Sequence, residues 1–285
     1  MRLTMETGSL GAYSHKERLA KIKAAGFDGV DFSFFYLKGE NAELIGDNYR
    51  ELAEDIRKYM DEIGLPATQA HAPFRLADGS PFSLECPEYR DIVHSIEAAA
   101  ILGAPAIVVH RVKTAPERVL EYNREYFLSL LPYAERAGIK IAIENLFVPI
   151  EGGGYYGFLD DPRMHIDYVR SLGSPYFCGC LDFGHLALCG HAPEDVIRAH
   201  DPEVYCFSHI HDNDFQTDMH RIPYAGRMNW DAICAAMREM GYRGDFSLEL
   251  IGQFKAYAGD EALIDAGLKY AHDVGRALIK KVKEG

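Results

Sequence analysis

The chain has 285 residues, 48% of them hydrophobic and 26% charged, and its 30 basic and 43 acidic residues give a formal net charge of −13. These values are ordinary for a soluble globular enzyme, and the acidic balance argues against nucleic acid or an anionic membrane as the main partner, because both are recognised by basic surfaces. No secretory leader pattern follows Met1, no apolar run approaches the roughly 20 residues that span a bilayer, and the six cysteines lie in or beside predicted strands and helices. We therefore expect a cytoplasmic protein with reduced thiols and no membrane partner.

Short apolar segments alternate with longer amphipathic segments along the whole chain. In chain order, strands are predicted at 3–7, 29–34, 66–71, 106–110, 139–145, 177–183, 204–211 and 245–251, and helices at 14–25, 48–63, 87–102, 116–137, 162–172, 193–200, 229–240 and 260–283. The first helix begins at Ser14 with Glu17 three residues later, as in a capping box, and stops at Gly26. Eight βα units without a linker predict one domain, a (β/α)8 TIM barrel over residues 1–285. An open doubly wound sheet is the alternative, but no G-x-G-x-x-G follows a strand.

Two loops at the same predicted end of the barrel are unusual in composition. Residues 151–158 combine three consecutive glycines with large aromatic side chains, which suits a flexible lid. Residues 218–230 form a long polar loop after the seventh strand, and the D-x-H pair Asp218 and His220 within it suits a second metal, substrate hydroxyls or simply solvent. Both loops are expected to lie over the opening of the barrel at the carboxyl ends of its strands, called the mouth below.

Ionisable residues recur where the predicted strands end, which is where (β/α)8 enzymes carry their active sites. They are His71, His110, Glu144, Asp182, His185, His211 and Glu249. A charge among apolar neighbours is costly unless something neutralises it, and few basic residues lie at the ends of strands five to eight. We therefore expect these four strand ends to converge on one divalent metal. His209 shares the face of His211 but should lie deeper, as a core histidine or a partner of a ligand.

These residues resemble a known superfamily of barrels. The set Glu144-Asn145, Asp182-x-x-His185, His209-x-His211, His220-x-x-Pro223-x-x-Gly226 and Glu249 is similar to that of the xylose-isomerase-like TIM barrels, which include sugar (phosphate) isomerases and epimerases, inosose and dehydroshikimate dehydratases, and endonuclease IV. The resemblance covers nearly the whole chain.

The resemblance to ketose 3-epimerases implies roles for individual residues. It implies a divalent metal held by Glu144, Asp182, His211 and Glu249, with the two glutamates as the acid–base pair and His185 binding substrate. Thr217 stands where those epimerases have an arginine, and Arg221 or Arg227 would have to replace it. The candidate substrate-binding residues are His71, His110, His185, Asp218, His220 and Arg221.

The resemblance to endonuclease IV extends to more positions. Its three-zinc set maps onto His71, His110, Glu144, Asp182, His185, His211, Asp218, His220 and Glu249, all of the right residue type. The acidic balance and the absence of an arginine-rich loop after strand one or two count against DNA repair.

The chemistry shared by the sugar-acting relatives is proton abstraction beside a carbonyl, with a metal stabilising the enediolate. Three carboxylates and an imidazole favour Mn²⁺, Co²⁺ or Mg²⁺, with Zn²⁺ as an alternative. The sequence thus predicts an isomerase or epimerase of a sugar, keto sugar or cyclic polyol, with a metal-dependent dehydratase as the next candidate and a zinc phosphodiesterase after it. No glycine-rich phosphate loop follows strands seven and eight, which favours an unphosphorylated carbohydrate; a homo-oligomer is left open.

Overall fold

The computed structural model describes residues 1–35, 40–199, 201, 203–257 and 259–284. Eight parallel strands close into a barrel in the order β1-β2-β3-β4-β5-β8-β9-β10, and β10 pairs back onto β1. The barrel strands are β1 (Leu3–Glu6), β2 (Gly29–Ser33), β3 (Ala67–His71), β4 (Ala106–Val108), β5 (Lys140–Glu144), β8 (Phe177–Asp182), β9 (Tyr205–Ile210) and β10 (Phe246–Leu248). The predicted (β/α)8 barrel is therefore confirmed.

Helices follow the strands and cover the outside of the barrel. They are α1 (His15–Ala25), α2 (Glu40–Glu43), α3 (Tyr49–Ile63), α4 (Pro87–Ile101), α5 (Val119–Ala137), α6 (Pro162–Ser171), α7 (Phe183–Leu188), α8 (Pro193–Arg198), α9 (Trp230–Glu239), α10 (Ile251–Lys255) and α11 (Glu261–Glu284). Across the described ranges, no helix combines the length and apolarity needed to cross a membrane.

Local sequence signals fix the ends of several helices. The Ser14 hydroxyl accepts from the Glu17 backbone N–H, and the Glu17 carboxylate accepts from the Ser14 backbone N–H, which completes the predicted capping box at the start of α1. Gly26 ends that helix with a φ of +99°, a left-handed conformation that glycine adopts without steric cost.

The inside of the barrel is divided into two halves of different polarity. Inward-facing residues of β4, β5, β8 and β9 form a small apolar cluster: Ala106, Val108, Ala142, Cys178, Cys180 and Phe207. On β1, β2, β3 and β10 the corresponding buried positions are polar: Thr4, Glu6, Asp31, Gln69, His71 and Ser247. Because buried polar groups must find partners, the second half forms a hydrogen-bonded network beneath the mouth.

The structure departs from the predicted elements at several places near the mouth, among them the short helix α10, which begins at Ile251, inside the predicted eighth strand. The glycine-rich stretch is an antiparallel hairpin, formed by β6 (Leu146–Pro149) and β7 (Tyr155–Phe158), rather than a plain loop. A short extra helix, α7, begins directly after β8. His200, at the end of the predicted sixth helix, and the side chain of Cys206 lie outside the described part of the chain.

Candidate metal centre

The predicted site residues lie together at the carboxyl end of the barrel. Glu144 and Asp182 end β5 and β8, Glu249 directly follows β10, and all three carboxylates are buried. Asn145 ties two of these strand ends together, because its side-chain amide accepts from the Asp182 N–H at 2.8 Å and donates to the Asp182 carbonyl at 3.0 Å. The Asp182 carboxylate in turn caps α7 by accepting from the His185 N–H at 2.6 Å.

His209 lies in the middle of the three carboxylates. Its Nδ1 is 2.7 Å from Glu144 Oε1, 3.5 Å from Glu249 Oε2 and 3.9 Å from Asp182 Oδ2. In the register of the barrel, Asp182 pairs with His209, so the two inward side chains occupy one layer. This inner group joins residues from β5, β8, β9 and the end of β10.

His211 belongs to a second, outer group at the mouth. Its Nε2 is 3.2 Å from Asp182 Oδ2 and 3.8 Å from Asp218 Oδ1, and its ring stacks on His220 with centroids 4.0 Å apart. His220 lies 2.9 Å from Asp218, and His185 Nε2 lies 3.8 Å from the same carboxylate. The predicted D-x-H pair is thus part of the site.

His71 and His110 approach the inner group from β3 and β4. His110 Nε2 lies 2.7 Å from Glu144 Oε2, although the two atoms do not have hydrogen-bond alignment. His71 stacks on His209 with ring centroids 4.4 Å apart, and its Nδ1 lies 3.0 Å from Asp31 Oδ2. All the predicted histidines therefore line one continuous cluster.

The carboxylates of the inner group have opposite electrostatic environments. Burial disfavours the charge on Glu144, but attraction by His209 and His110 outweighs it and holds the pKa of this carboxyl well below its usual value. Burial and repulsion by Glu144 raise the pKa of Glu249 well above its usual value. The surroundings therefore favour the charged form of Glu144 and the neutral form of Glu249.

The outer group holds an unusually basic imidazole. Burial favours neutral His185, but attraction by Asp182 and Asp218 overrides it and raises the pKa of His185 to about 10. Burial likewise opposes the charge on Asp218, yet His220 and His185 bring the pKa of this carboxyl well below its usual value. These shifts arise from carboxylates and imidazoles that are buried close together.

Several buried polar atoms in the cluster lack a hydrogen-bond partner, as expected where a cation would bind. They are His71 Nε2, His110 Nε2, Glu144 Oε2, Asp182 Oδ2, both His211 ring nitrogens and Asp218 Oδ1. Candidate ligand atoms lie within 4.8 Å of one another in three overlapping sets: His71, Glu144, His209 and Glu249; Glu144, Asp182 and His185; and His185, His211, Asp218 and His220. Oxygen and imidazole donors at this density suit a divalent metal.

The expected quartet of Glu144, Asp182, His211 and Glu249 is not one of these compact sets. The two glutamates fall with His209, whereas His211 falls with the outer residues. The reason lies in the strand end: β9 stops at Ile210, so His209 is its last inward residue and His211 already belongs to the following loop.

Arg221 is held in the loop by hydrogen bonds of its backbone rather than of its guanidinium. Its N–H and carbonyl pair with the backbone of Asp212 at 3.1 and 2.8 Å, and this pairing folds the loop after β9 back over the mouth. Within the described ranges, no side-chain hydrogen bond or ion pair joins Arg221 to the cluster. Its predicted role in substrate binding therefore stays a prediction.

Sequence reasoning missed Asp31 and Glu6 below the cluster. Both are completely buried on β2 and β1, and Asp31 Oδ2 accepts from Gln69 at 2.7 Å while facing His71. A carboxylate between Val30 and Phe32 has the same apolar surroundings that singled out Glu249, so the same criterion could have found it. Phe147 on the hairpin was also missed; it packs edge-on against the His185 ring at 5.1 Å.

The fold and the cluster together define a (β/α)8 barrel with a carboxylate–imidazole centre at the carboxyl ends of its strands. The family described as xylose isomerase-like TIM barrel matches residues 19–272, and the chain belongs to this family. The uncharacterized protein y4fM of Sinorhizobium fredii is 28% identical over 162 residues, which cover 54% of this chain and 50% of that protein. The chain thus aligns with about half the length of this relative.

Solved structures with the same fold cover the whole chain. A D-tagatose 3-epimerase-like protein superposes with a TM-score of 0.74 at 19% identity, covering 100% of this chain and 99% of the other. The IolI protein, whose crystal structure holds a zinc atom, superposes with a TM-score of 0.75 at 17% identity, covering 100% of both chains. At these identities the likeness establishes the fold.

Proposed function

We propose that the protein is a divalent-metal-dependent isomerase or epimerase of a sugar, keto sugar or cyclic polyol. The observation that carries this proposal is the pair Glu144 and Glu249, two buried carboxylates that both face His209 and whose ligand atoms lie within 4.8 Å of each other. Two carboxylates from separate strands can serve opposite faces of a small substrate. The 3-epimerase-like structural neighbour supports the same reaction class.

The residues proposed to hold the metal are Glu144, Asp182, His211 and Glu249, the quartet expected from the sequence. Neither ring nitrogen of His211 has a hydrogen-bond partner, and its Nε2 lies 3.2 Å from Asp182 Oδ2. His209 Nδ1 already lies 2.7 Å from Glu144 Oε1, so His209 is proposed to orient that carboxylate. The quartet is rich in oxygen, which favours Mn²⁺, Co²⁺ or Mg²⁺, and Zn²⁺ is the alternative. When bound, such an ion would supply Lewis acidity toward a carbonyl and an adjacent hydroxyl oxygen.

The two glutamates are proposed to move the proton. Glu144 and Glu249 are proposed as the acid–base pair, one carboxylate removing the proton beside the carbonyl and the other returning it. Return to the opposite face of the same carbon gives an epimer, and return to the neighbouring carbon gives an aldose–ketose isomer. His185, Asp218 and His220 are proposed to bind substrate hydroxyl groups at the mouth, with His71 and His110 on the other side.

The test is deuterium uptake from D2O into a panel of keto sugars by protein loaded separately with each metal. The wild type should exchange one carbon-bound hydrogen and yield an isomer, whereas Glu144→Gln should keep the fold and lose turnover. Glu135→Gln, an exposed glutamate on α5, is the matched control and should leave turnover unchanged. Full activity of Glu144→Gln would remove the glutamate pair from the reaction.

A dehydratase would use the same site with a different outcome. The observation that favours a dehydratase is the raised pKa of the His185 imidazole, which in its protonated form can donate a proton to a departing hydroxyl group. The product would then be lighter by one water, and mass spectrometry of the same reactions separates the two reactions.

The outer group favours one further candidate, an endonuclease-IV-like phosphodiesterase. His185, His211, Asp218 and His220 form a ligand set beside the inner one, as a multi-metal centre would require. Three zinc ions per chain by elemental analysis, with cleavage at abasic sites, would establish this activity. The net charge of −13 counts against a DNA substrate.

A further inference from the structure

Arg111 is a buried cation for which the described part of the chain supplies no carboxylate. It lies one residue beyond His110, and only 9% of it is exposed. Its Nη1 donates to the Val112 carbonyl at a long 3.4 Å, and its Nε is buried without a hydrogen-bond partner. In a chain with 43 acidic residues, an arginine buried away from all described carboxylates is unusual.

The surroundings of Arg111 are aromatic and apolar. The guanidinium lies 5.3 Å from the centre of the Phe158 ring, which gives it a cation–π contact but uses none of its N–H donors. Burial lowers the pKa of Arg111, and only the phenol of Tyr156, among the described ionisable groups, is placed to oppose that effect. Among the described residues, the guanidinium therefore has no acidic partner.

The position of Arg111 is fixed by its neighbour in sequence. The side chain of Asn123 on α5 accepts from the Val112 N–H at 2.6 Å and donates to the Val112 carbonyl at 3.0 Å. The backbone next to Arg111 is thus held rigidly, which is what a preorganised binding group requires.

The β6–β7 hairpin separates Arg111 from the candidate metal centre. In an antiparallel pair, opposed residues share a face, so Leu146, Val148, Tyr156 and Phe158 form one face, and Phe147 and Tyr155 lie on the other. The first face covers Arg111 and the second contacts His185 through Phe147. Gly152, Gly153 and Gly154 at the turn have φ values of +94°, +112° and +84°, and an added Cβ at any of them would meet no neighbouring atom, so this turn is not packed against the rest of the described chain at these positions.

We propose that Arg111 and the hairpin face that covers it form a binding site for a small oxyanion, a phosphate or carboxylate group, separate from the metal centre. The guanidinium offers its Nε and a terminal nitrogen to two oxygens of such a group, the arrangement in which arginine binds phosphates and carboxylates most strongly. Because Nε is buried, the anion enters as the hairpin moves. Occupancy of this site therefore fixes the position of the aromatic residues above His185.

The experiment uses the metal-loaded protein and two probes, inorganic phosphate and acetate, titrated calorimetrically against chloride at equal ionic strength. Arg111→Met removes the charge and keeps the aliphatic stem, whereas Arg243→Met makes the same charge change at an exposed position. We expect Arg111→Met to weaken anion binding about 10-fold or more and Arg243→Met to leave it unchanged. Binding of phosphate alone identifies a phosphate site, and binding of acetate alone identifies a carboxylate site.

Hydrogen exchange locates the effect in the molecule. The bound anion should slow amide exchange of residues 146–158 in the wild type and in Arg243→Met but not in Arg111→Met. Arg111→Lys, which keeps a charge without the fork of donors, should bind with intermediate affinity and serves if Arg111→Met does not fold. Equal anion binding by all variants, or no binding by the wild type, overturns the proposal.

Discussion

Asp31 supplies the clearest test of how the polar half of the barrel is stabilised. Its Oδ2 accepts from Gln69 Nε2 at 2.7 Å, lies 3.0 Å from His71 Nδ1 and lies 3.6 Å from His209 Nε2. Burial disfavours its charge, but attraction by His71 prevails and holds the pKa of Asp31 below its usual value. The carboxylate is therefore an ionised acceptor surrounded by donors.

Replacing Asp31 by asparagine keeps the shape but removes the charge and presents an N–H₂ group to those donors. Breaking a buried charged pair by changing one partner costs about 3–5 kcal/mol, so we expect a loss of that size in the free energy of unfolding. The measurement is urea unfolding followed by circular dichroism, in chelator-treated protein.

The matched control is Asp61→Asn. Its side chain is 62% exposed and pairs with Arg57 one helical turn away, and such surface pairs contribute about 0.5 kcal/mol. Both variants raise the net charge by one unit, so any difference between them reports burial and hydrogen bonding. A loss below about 1 kcal/mol for Asp31→Asn would refute a stabilising role for this carboxylate.

Three further outcomes follow from the packing and charges of the cluster. A Cβ at residue 184 would overlap the imidazole of His211, a proposed metal ligand. Gly184→Ala should therefore lower the metal stoichiometry and leave the circular dichroism spectrum unchanged, and an unaltered metal content would contradict this packing. Burial and repulsion by Glu144 raise the pKa of Glu249. Chelator-treated Glu249→Gln should therefore become more stable than the wild type as the pH rises above 4.5. Identical thermal melts of the two proteins at high pH would contradict this expectation. Burial lowers the pKa of His185, but attraction by two carboxylates outweighs burial and raises this pKa from 6.5 to about 10. Protonated His185 therefore stabilises the folded, metal-free protein fully below pH 6.5, and this contribution is lost as the pH rises toward 10. His185→Gln should flatten the dependence of the free energy of unfolding on pH across this range.

The periodicity of the sequence predicts the fold because each strand and helix carries its own local signal. Ser14 and Glu17 mark a helix start, Gly26 marks its end, and all eight barrel strands overlap their predicted ranges. The hairpin escaped prediction because its glycine-rich turn divides two short strands whose pairing is visible only in three dimensions. Glycine runs of this kind fit a mobile loop equally well.

The site residues could be predicted from the sequence because carboxylates at the ends of apolar strands are easily recognised. The layer of the barrel in which each side chain lies could not be predicted, because it depends on how neighbouring strands pair. Whether His209 or His211 faces Glu144 depends on the register between β8 and β9 and on the residue where β9 stops. The Asp31–His71 contact likewise joins residues 40 positions apart in sequence. Which of these residues bind a metal remains a prediction.

The apolar half of the barrel gives the protein a built-in reporter of its own opening. Cys180 is fully buried among inward-facing side chains, and burial together with the charge of Glu144 raises the pKa of its thiol well above the usual value. Alkylating reagents react with the thiolate, so this sulfur stays unreactive for as long as β8 remains paired with β5 and β9. The rate at which Cys180 is alkylated therefore reports how often this part of the barrel opens, without any engineered probe.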